Sequence, residues 1–229
     1  MRILFVLLLT LLIHQSTMAQ NKPTLIYIGD PLCSWCYGFA EEISKAKESL
    51  KEKVDFELIM GGLRPYNTET MKSLGDFLKE HWEHVQERSG QPFNYDILND
   101  HSFVYDTEPP SRAVKTMESI QPDKAFEFFK AIQKTFYADN LNTNHVDTYL
   151  PIVASYGIDG EKFKVAFESE EMKQATRDDF EKSANMGISG FPTVVLQMGD
   201  KLILISNGYT TATSIELQVQ KYMAKEKNN

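Results

Sequence analysis

The chain switches between two hydrophobic periods, and each switch marks an element. Leu25-Ile26-Tyr27-Ile28 is a continuous apolar run, the pattern of a short buried strand. Gly29-Asp30-Pro31 breaks it, and Phe39, Ile43, Ala46 and Leu50 then recur at helical spacing. A second strand is predicted over 54–60, where Val54, Phe56, Leu58 and Met60 alternate with Asp55, Glu57 and Ile59, and Gly61-Gly62 ends it. A strand–helix–strand unit of this length favours a parallel pair joined by a right-handed crossover.

From residue 63 the period is helical. Asn67 or Thr68 is expected to cap a helix that carries Met71, Leu74, Leu78 and Val85 and ends near Gly90. Residues 91–110 read as a loop rich in aromatics and prolines, and Ser111 as the cap of a short helix with Val114, Met117 and Ile120. Pro122 suits the first turn of the next helix, which carries Phe126, Phe129, Ile132 and Phe136. A further stripe runs from Val146 to Tyr156 with Gly157 at a C′ position, and shorter patterns follow at 159–168 and 170–186. The block's aromatics, such as Phe128, Phe129 and Tyr137, are expected in the core.

Strands return at Thr193–Met198 and Lys201–Ser206, flanking Gly199-Asp200, a two-residue hairpin signal. Ile215, Val219 and Tyr222 share one face of a last helix over about Thr213 to Ala224. The predicted order is β-α-β, a helical block, then β-β-α, an α/β architecture in which two end pieces form one sheet. The expected boundaries are 20–62 for the N-terminal half, 63–187 for the helical insertion with its connecting helix, and 188–229 for the C-terminal half.

Residues 1–19 stand apart from this plan. Arg2 is a short positive region, Ile3 to Ile13 is apolar except for Thr10, and Thr17-Met18-Ala19 is a small-residue cleavage site. The stretch is short for a membrane span and has signal-peptide flanks, so the protein is expected to be exported, periplasmic or secreted after cleavage. No cysteine stands just after the apolar region, which argues against a lipid anchor, and no second long apolar run argues for membrane attachment of the mature chain.

The chain carries 24 Lys and Arg against 32 Asp and Glu, a net charge of -8. An acidic surface disfavours nucleic acid and anionic membranes as partners. The charges are interleaved with apolar positions, as on solvated helix faces. No separate dimerisation domain is evident, so the expected state is a monomer.

The two cysteines are Cys33 and Cys36, two apart in Cys33-Ser34-Trp35-Cys36, where the first strand turns into the first helix. A thiol over a helix N-terminus meets unpaired N–H groups and a dipole that favour negative charge. The thiolate is the reactive form: at pH 7 a thiol with a pKa of about 8.5 is roughly 3% ionised, and one lowered to about 6.5 is roughly three-quarters ionised. Cys33 is therefore expected to titrate well below Cys36. In an oxidising compartment so close a pair can cycle as a disulfide, and as a structural staple it would close too small a loop to constrain much unfolded chain.

The chain resembles the thioredoxin superfamily and, within it, the DsbA-like branch. The resemblance rests on the Cys33-Ser34-Trp35-Cys36 junction, the helical block between two halves, and Gly190-Phe191-Pro192-Thr193 before the hairpin. Asp30-Pro31-Leu32-Cys33-Ser34-Trp35-Cys36-Tyr37-Gly38-Phe39 is also similar to the opening of a subgroup of disulfide isomerases. The resemblance implies a thioredoxin fold with a large helical insertion, and a cis-proline at Pro192 facing the cysteines that keeps them from capturing metal. It implies that the Phe191 backbone pairs with an extended substrate peptide. It implies catalysis by thiol–disulfide exchange on protein substrates, with a redox partner protein and no cofactor or metal. Cys33 is then the nucleophile and Cys36 the resolving thiol. Ser34, Trp35, Phe191 and Pro192 are the expected substrate-binding residues; Ser34 could also donate to the Cys33 thiolate, and Trp35 could instead pack on the helical block.

Two departures narrow the resemblance. Thioredoxin carries a buried acid six positions before its first cysteine, where this chain has Tyr27, and the Ser-Trp spacer is neither that of thioredoxin nor that of DsbA. Within the fold the alternative is a non-redox isomerase of the hydroxychromene-carboxylate or kappa glutathione transferase kind, which typically places serine where this chain keeps thiols. A metal-binding module using the cysteines with His81 and His84 is a further alternative, though His81-Trp82-Glu83-His84 reads as a solvated face on a separate helix. A redox-silent chaperone is another. There is no Gly-rich phosphate loop. Oxidase, isomerase and reductase share the same parts and differ in reduction potential.

Overall fold

The computed structural model describes residues 22–227, so the expected signal segment lies outside the described residues. Four strands form one mixed sheet: β1 (Thr24–Gly29), β2 (Asp55–Met60), β3 (Thr193–Met198) and β4 (Lys201–Asn207), in the order β2-β1-β3-β4. β1 pairs parallel with β2, with Tyr27 opposite Leu58, and antiparallel with β3, with Tyr27 opposite Val194. The β3–β4 hairpin is antiparallel, with a bulge between Val194 and Val195 and Gly199 at φ +58° in its turn. Gly199 supplies the positive φ that such a tight turn needs.

The helices are α1 (Ser34–Leu50), α2 (Met71–Ser89), α3 (Glu108–Ile120), α4 (Ala125–Tyr137), α5 (Leu150–Ser155), α6 (Gly160–Glu168), α7 (Glu170–Asn185) and α8 (Ala212–Lys227). α1 links β1 to β2 as the crossover, and α2 to α7 lie between the two halves of the sheet. The strand–helix order and the fold class therefore match the sequence reading.

Alternation along β1 decides what each face buries. Leu25 and Tyr27, with Leu58, Met60, Val194 and Leu196, join Phe39, Ile43, Phe129, Ile215 and others in the main core. Ile26, Ile28, Ile59 and Val195 face the other way, against Met186, Ile188 and Phe191. Ile59 is buried although the sequence alternation set it with the polar positions, because β2 has a covered face on both sides there. A second core is internal to the helical block and is built on Trp82, Phe103, Phe136 and Tyr137. Phe128, Phe129 and Tyr137 are fully buried, as expected.

Two helix starts differ from the sequence reading. α2 starts after Thr70, which holds the N-cap position without a side-chain hydrogen bond; the Asn67 amide instead donates to the Tyr105 carbonyl at 3.2 Å, and Thr70 forms an isolated bridge to Val104. α3 starts at Glu108, three residues before the expected Ser111. Asp106 Oδ1 accepts the Glu108 N–H at 2.9 Å, and Pro109 and Pro110 fill first-turn positions where no N–H partner is needed.

Candidate active site

Three residues, Asp30-Pro31-Leu32, carry the chain from β1 to α1, and the helix start is fixed by what holds them. The Cys33 N–H donates to the Asp30 carbonyl at 3.1 Å, closing a turn. The Asp30 side chain is fully buried; Oδ1 accepts from Leu32 N at 2.9 Å and Oδ2 from Leu63 N at 2.8 Å, tying the loop to the end of β2. The Leu32 carbonyl accepts from the hydroxyls of Tyr137, at 2.6 Å, and Tyr105. The helical block thus grips the residue before Cys33. Burial pushes the Asp30 carboxyl up to about 6, against the pull of the two N–H groups.

Cys33 sits in the N-cap position of α1 with extended backbone, and its carbonyl accepts the Tyr37 N–H at 3.0 Å. Its side chain makes no capping hydrogen bond to the first turn of α1. Cys33 is 6% exposed and Cys36, within the first turn, is 0% exposed. The two thiols are free. Burial pushes the Cys36 thiol well above its ordinary range, Cys33 adds to the rise, and the Asp30 backbone and Tyr27 hydroxyl oppose it.

The opposing wall is Phe191-Pro192, joined by a cis peptide bond. Cys33 Sγ donates to the Phe191 carbonyl at 3.6 Å, and the Pro192 carbonyl accepts from Gly208 N at 2.7 Å. The Phe191 ring lies on Gly61: a Cβ there would stand 2.2 Å from the ring. The end of β2, expected only to stop a strand, is therefore the floor under Phe191.

Trp35 is half-buried between the edge of His81 and the ring of Tyr209, each 6.1 Å away between centroids. It both packs on the helical block and lines a groove of about 400 Å³ with Arg88, Phe191, Gly208 and Tyr209. The Arg88 guanidinium lies over the Tyr209 ring at 5.3 Å. Ser34 is buried, and among the described residues no hydrogen bond joins its hydroxyl to Cys33. The expected Ser34 contact is thus missing.

The reading of residues 81–84 as one solvated face is corrected. Trp82 is fully buried at the centre of the block, and His81 stacks on Phe77 and meets Trp35. Successive helical residues turn by about 100°, so neighbours in sequence face different surroundings. Burial lowers the His81 pKa. Among the described residues, no group of three or more His, Cys, Asp or Glu is placed to hold a metal ion, and no helix is long and apolar enough to cross a membrane. Sequence reasoning missed Asp30, Arg88 and Tyr209. Only Asp30, adjoining the motif, carried a local signal.

Residues 26–212 match the thioredoxin family profile. Among solved structures, a "putative protein disulfide isomerase" from Nitrosomonas europaea is 33% identical with a TM-score of 0.83, over 90% of this chain and 99% of that one. The cytosolic disulfide reductase DsbM from Pseudomonas aeruginosa is 26% identical with a TM-score of 0.74, over 88% and 98% of the two chains. The oxidoreductase DsbA from Xylella fastidiosa shares the fold at 12% identity and a TM-score of 0.61, over 91% and 88%. No curated protein matches.

Proposed function

The chain belongs to the thioredoxin family, among its DsbA-like thiol–disulfide oxidoreductases, and on that premise we propose that Cys33 and Cys36 exchange disulfides with protein substrates after export. The observation that carries this reading is the placement of Cys33. Its sulfur stands at the open end of α1, 3.6 Å from the Phe191 carbonyl and beside the groove of Trp35 and Tyr209.

In the reducing direction, the Cys33 thiolate attacks a substrate disulfide. A bond forms between Cys33 and one substrate sulfur, and the other substrate sulfur leaves as a thiolate that takes a proton from water. The Cys36 thiolate then attacks Cys33 Sγ. The Cys33–Cys36 bond forms, the mixed disulfide breaks, and the substrate has gained the two electrons that the cysteine pair lost. In the oxidising direction every step runs backwards. The substrate backbone lies extended along Phe191, and its side chains enter the groove that Arg88 helps to line. The DsbM reductase is cytosolic; export of this chain rests on its own residues 1–19.

Turnover of a disulfide-bonded peptide, followed with glutathione as the redox couple, tests the assignment. Cys33→Ser is expected to abolish exchange, and Cys36→Ser to stop after one equivalent of substrate thiol is released. Full exchange by Cys33→Ser would overturn the roles.

A further inference from the structure

Tyr27 is a polar side chain of the main core that the exchange scheme leaves unused. It occupies the middle of β1, with its ring pointing to the α1 side of the sheet and fully buried. Its surroundings are aromatic edges: Phe39 at 5.9 Å, Phe126 at 6.3 Å and Phe129 at 5.9 Å, all near perpendicular or steeply inclined. The backbone also makes room for it. A Cβ on Gly29 would lie 2.8 Å from the tyrosine's Cζ and Oη, so the hydroxyl tip is tucked beneath the glycine.

The hydroxyl forms no hydrogen bond that meets ordinary geometry, although it has no access to water. A buried hydroxyl left without a partner is unfavourable, and in a native fold it calls for a reason. Phe39, which packs on Tyr27, is one helical turn beyond Cys36, so the same face of α1 presents both to the tyrosine. The ionisable neighbours of the hydroxyl are Cys36, Cys33 and Asp30, with Cys36 foremost.

We propose that the Tyr27 hydroxyl is the hydrogen-bond donor that carries the Cys36 sulfur through its thiolate state. The proposal rests on the reading of Cys36 as the resolving thiol. In the resting thiol form the sulfur is a weak acceptor and the hydroxyl stays poorly satisfied. When Cys36 loses its proton to water, the sulfur gains a full charge inside an apolar core, and Tyr27 is the side-chain O–H beside it. A hydrogen bond to a charged acceptor is stronger than one to a neutral group. The donor therefore favours the state that attacks Cys33 Sγ, and favours it again when Cys36 departs in the reverse step. The ordinary effect of burial keeps the phenol protonated throughout, so it donates without giving up its proton.

Thiolate absorbance against pH in a Cys33→Ala background isolates Cys36. Tyr27→Phe, which keeps the ring and its edge contacts, is expected to raise the Cys36 titration by about one unit or more. With both thiols present, the same substitution is expected to slow resolution of a preformed mixed disulfide on Cys33 about tenfold. 3-Fluorotyrosine at position 27, a more acidic phenol of nearly the same shape, is expected to lower the Cys36 titration and supplies the test should the phenylalanine variant fail to fold. An unchanged Cys36 titration with an unchanged resolution rate overturns the donor role and leaves exchange by Cys33 and Cys36 standing. Failure of the Cys36→Ala chain with native Tyr27 to form any mixed disulfide would instead overturn the exchange reading.

Discussion

Asp30 couples the start of α1 to the end of β2 through one carboxylate. Its oxygens accept from Leu32 and Leu63, and it has no exposure to water. Burial raises its pKa to about 6 from an ordinary 3.8. The folded chain therefore takes up a proton where the unfolded chain does not, and Asp30's share of stability is present below the unfolded value and lost as pH rises through 6. Two units correspond to about 3 kcal/mol of pH-dependent stability. Asp30→Asn is expected to flatten the denaturation midpoint between pH 4 and 6.5. A parental slope retained in the variant would contradict this. The residue next to the motif was visible in the sequence, but its role was not, because one partner is 33 positions away.

At the scale of elements, periodicity identified β1, α1, the hairpin and the helix of residues 212–227 because each has a one-sided or fully buried pattern. It misplaced the starts of α2 and α3: Thr70 holds the N-cap position of α2 without a side-chain hydrogen bond, and Asp106 accepts from the first turn of α3. It also could not show that β2 ends as a floor for Phe191. Gly61→Ala would drive a methyl into that ring and is expected to slow exchange severalfold while the midpoint of unfolding moves little; unchanged exchange would argue that the Phe191 position is not needed. Trp82 was read with its polar neighbours, yet it packs on Phe93, Tyr95, Phe136 and Tyr137 with no exposed surface. Trp82→Ala is expected to destabilise by roughly 3–5 kcal/mol in denaturant titration. A loss under about 1 kcal/mol would mean that the block's second core does not depend on it.

Across the whole molecule, the two halves of the sheet bring residues 33 and 191 together, and the helical block supplies His81 and Arg88 to the rim of the groove. The motif and Pro192 were legible because each sits at a change of period. The groove was not, since Trp35, Arg88 and Tyr209 come from three distant segments and share no pattern. Export belongs to this scale too. N-terminal sequencing of the protein from its native host is expected to begin at Gln20, and a retained Met1 with a reduced cysteine pair in the cytosol would contradict export.

In the proposed exchange, Cys33 forms the covalent link to substrate and Cys36 releases it. Cys36→Ala expressed in the native host, quenched with acid and alkylated, tests this by peptide mapping of the trapped adducts. The expected adducts are protein substrates joined through Cys33 alone and released by reductant. A chain recovered with Cys33 uniformly alkylated as a free thiol would contradict it.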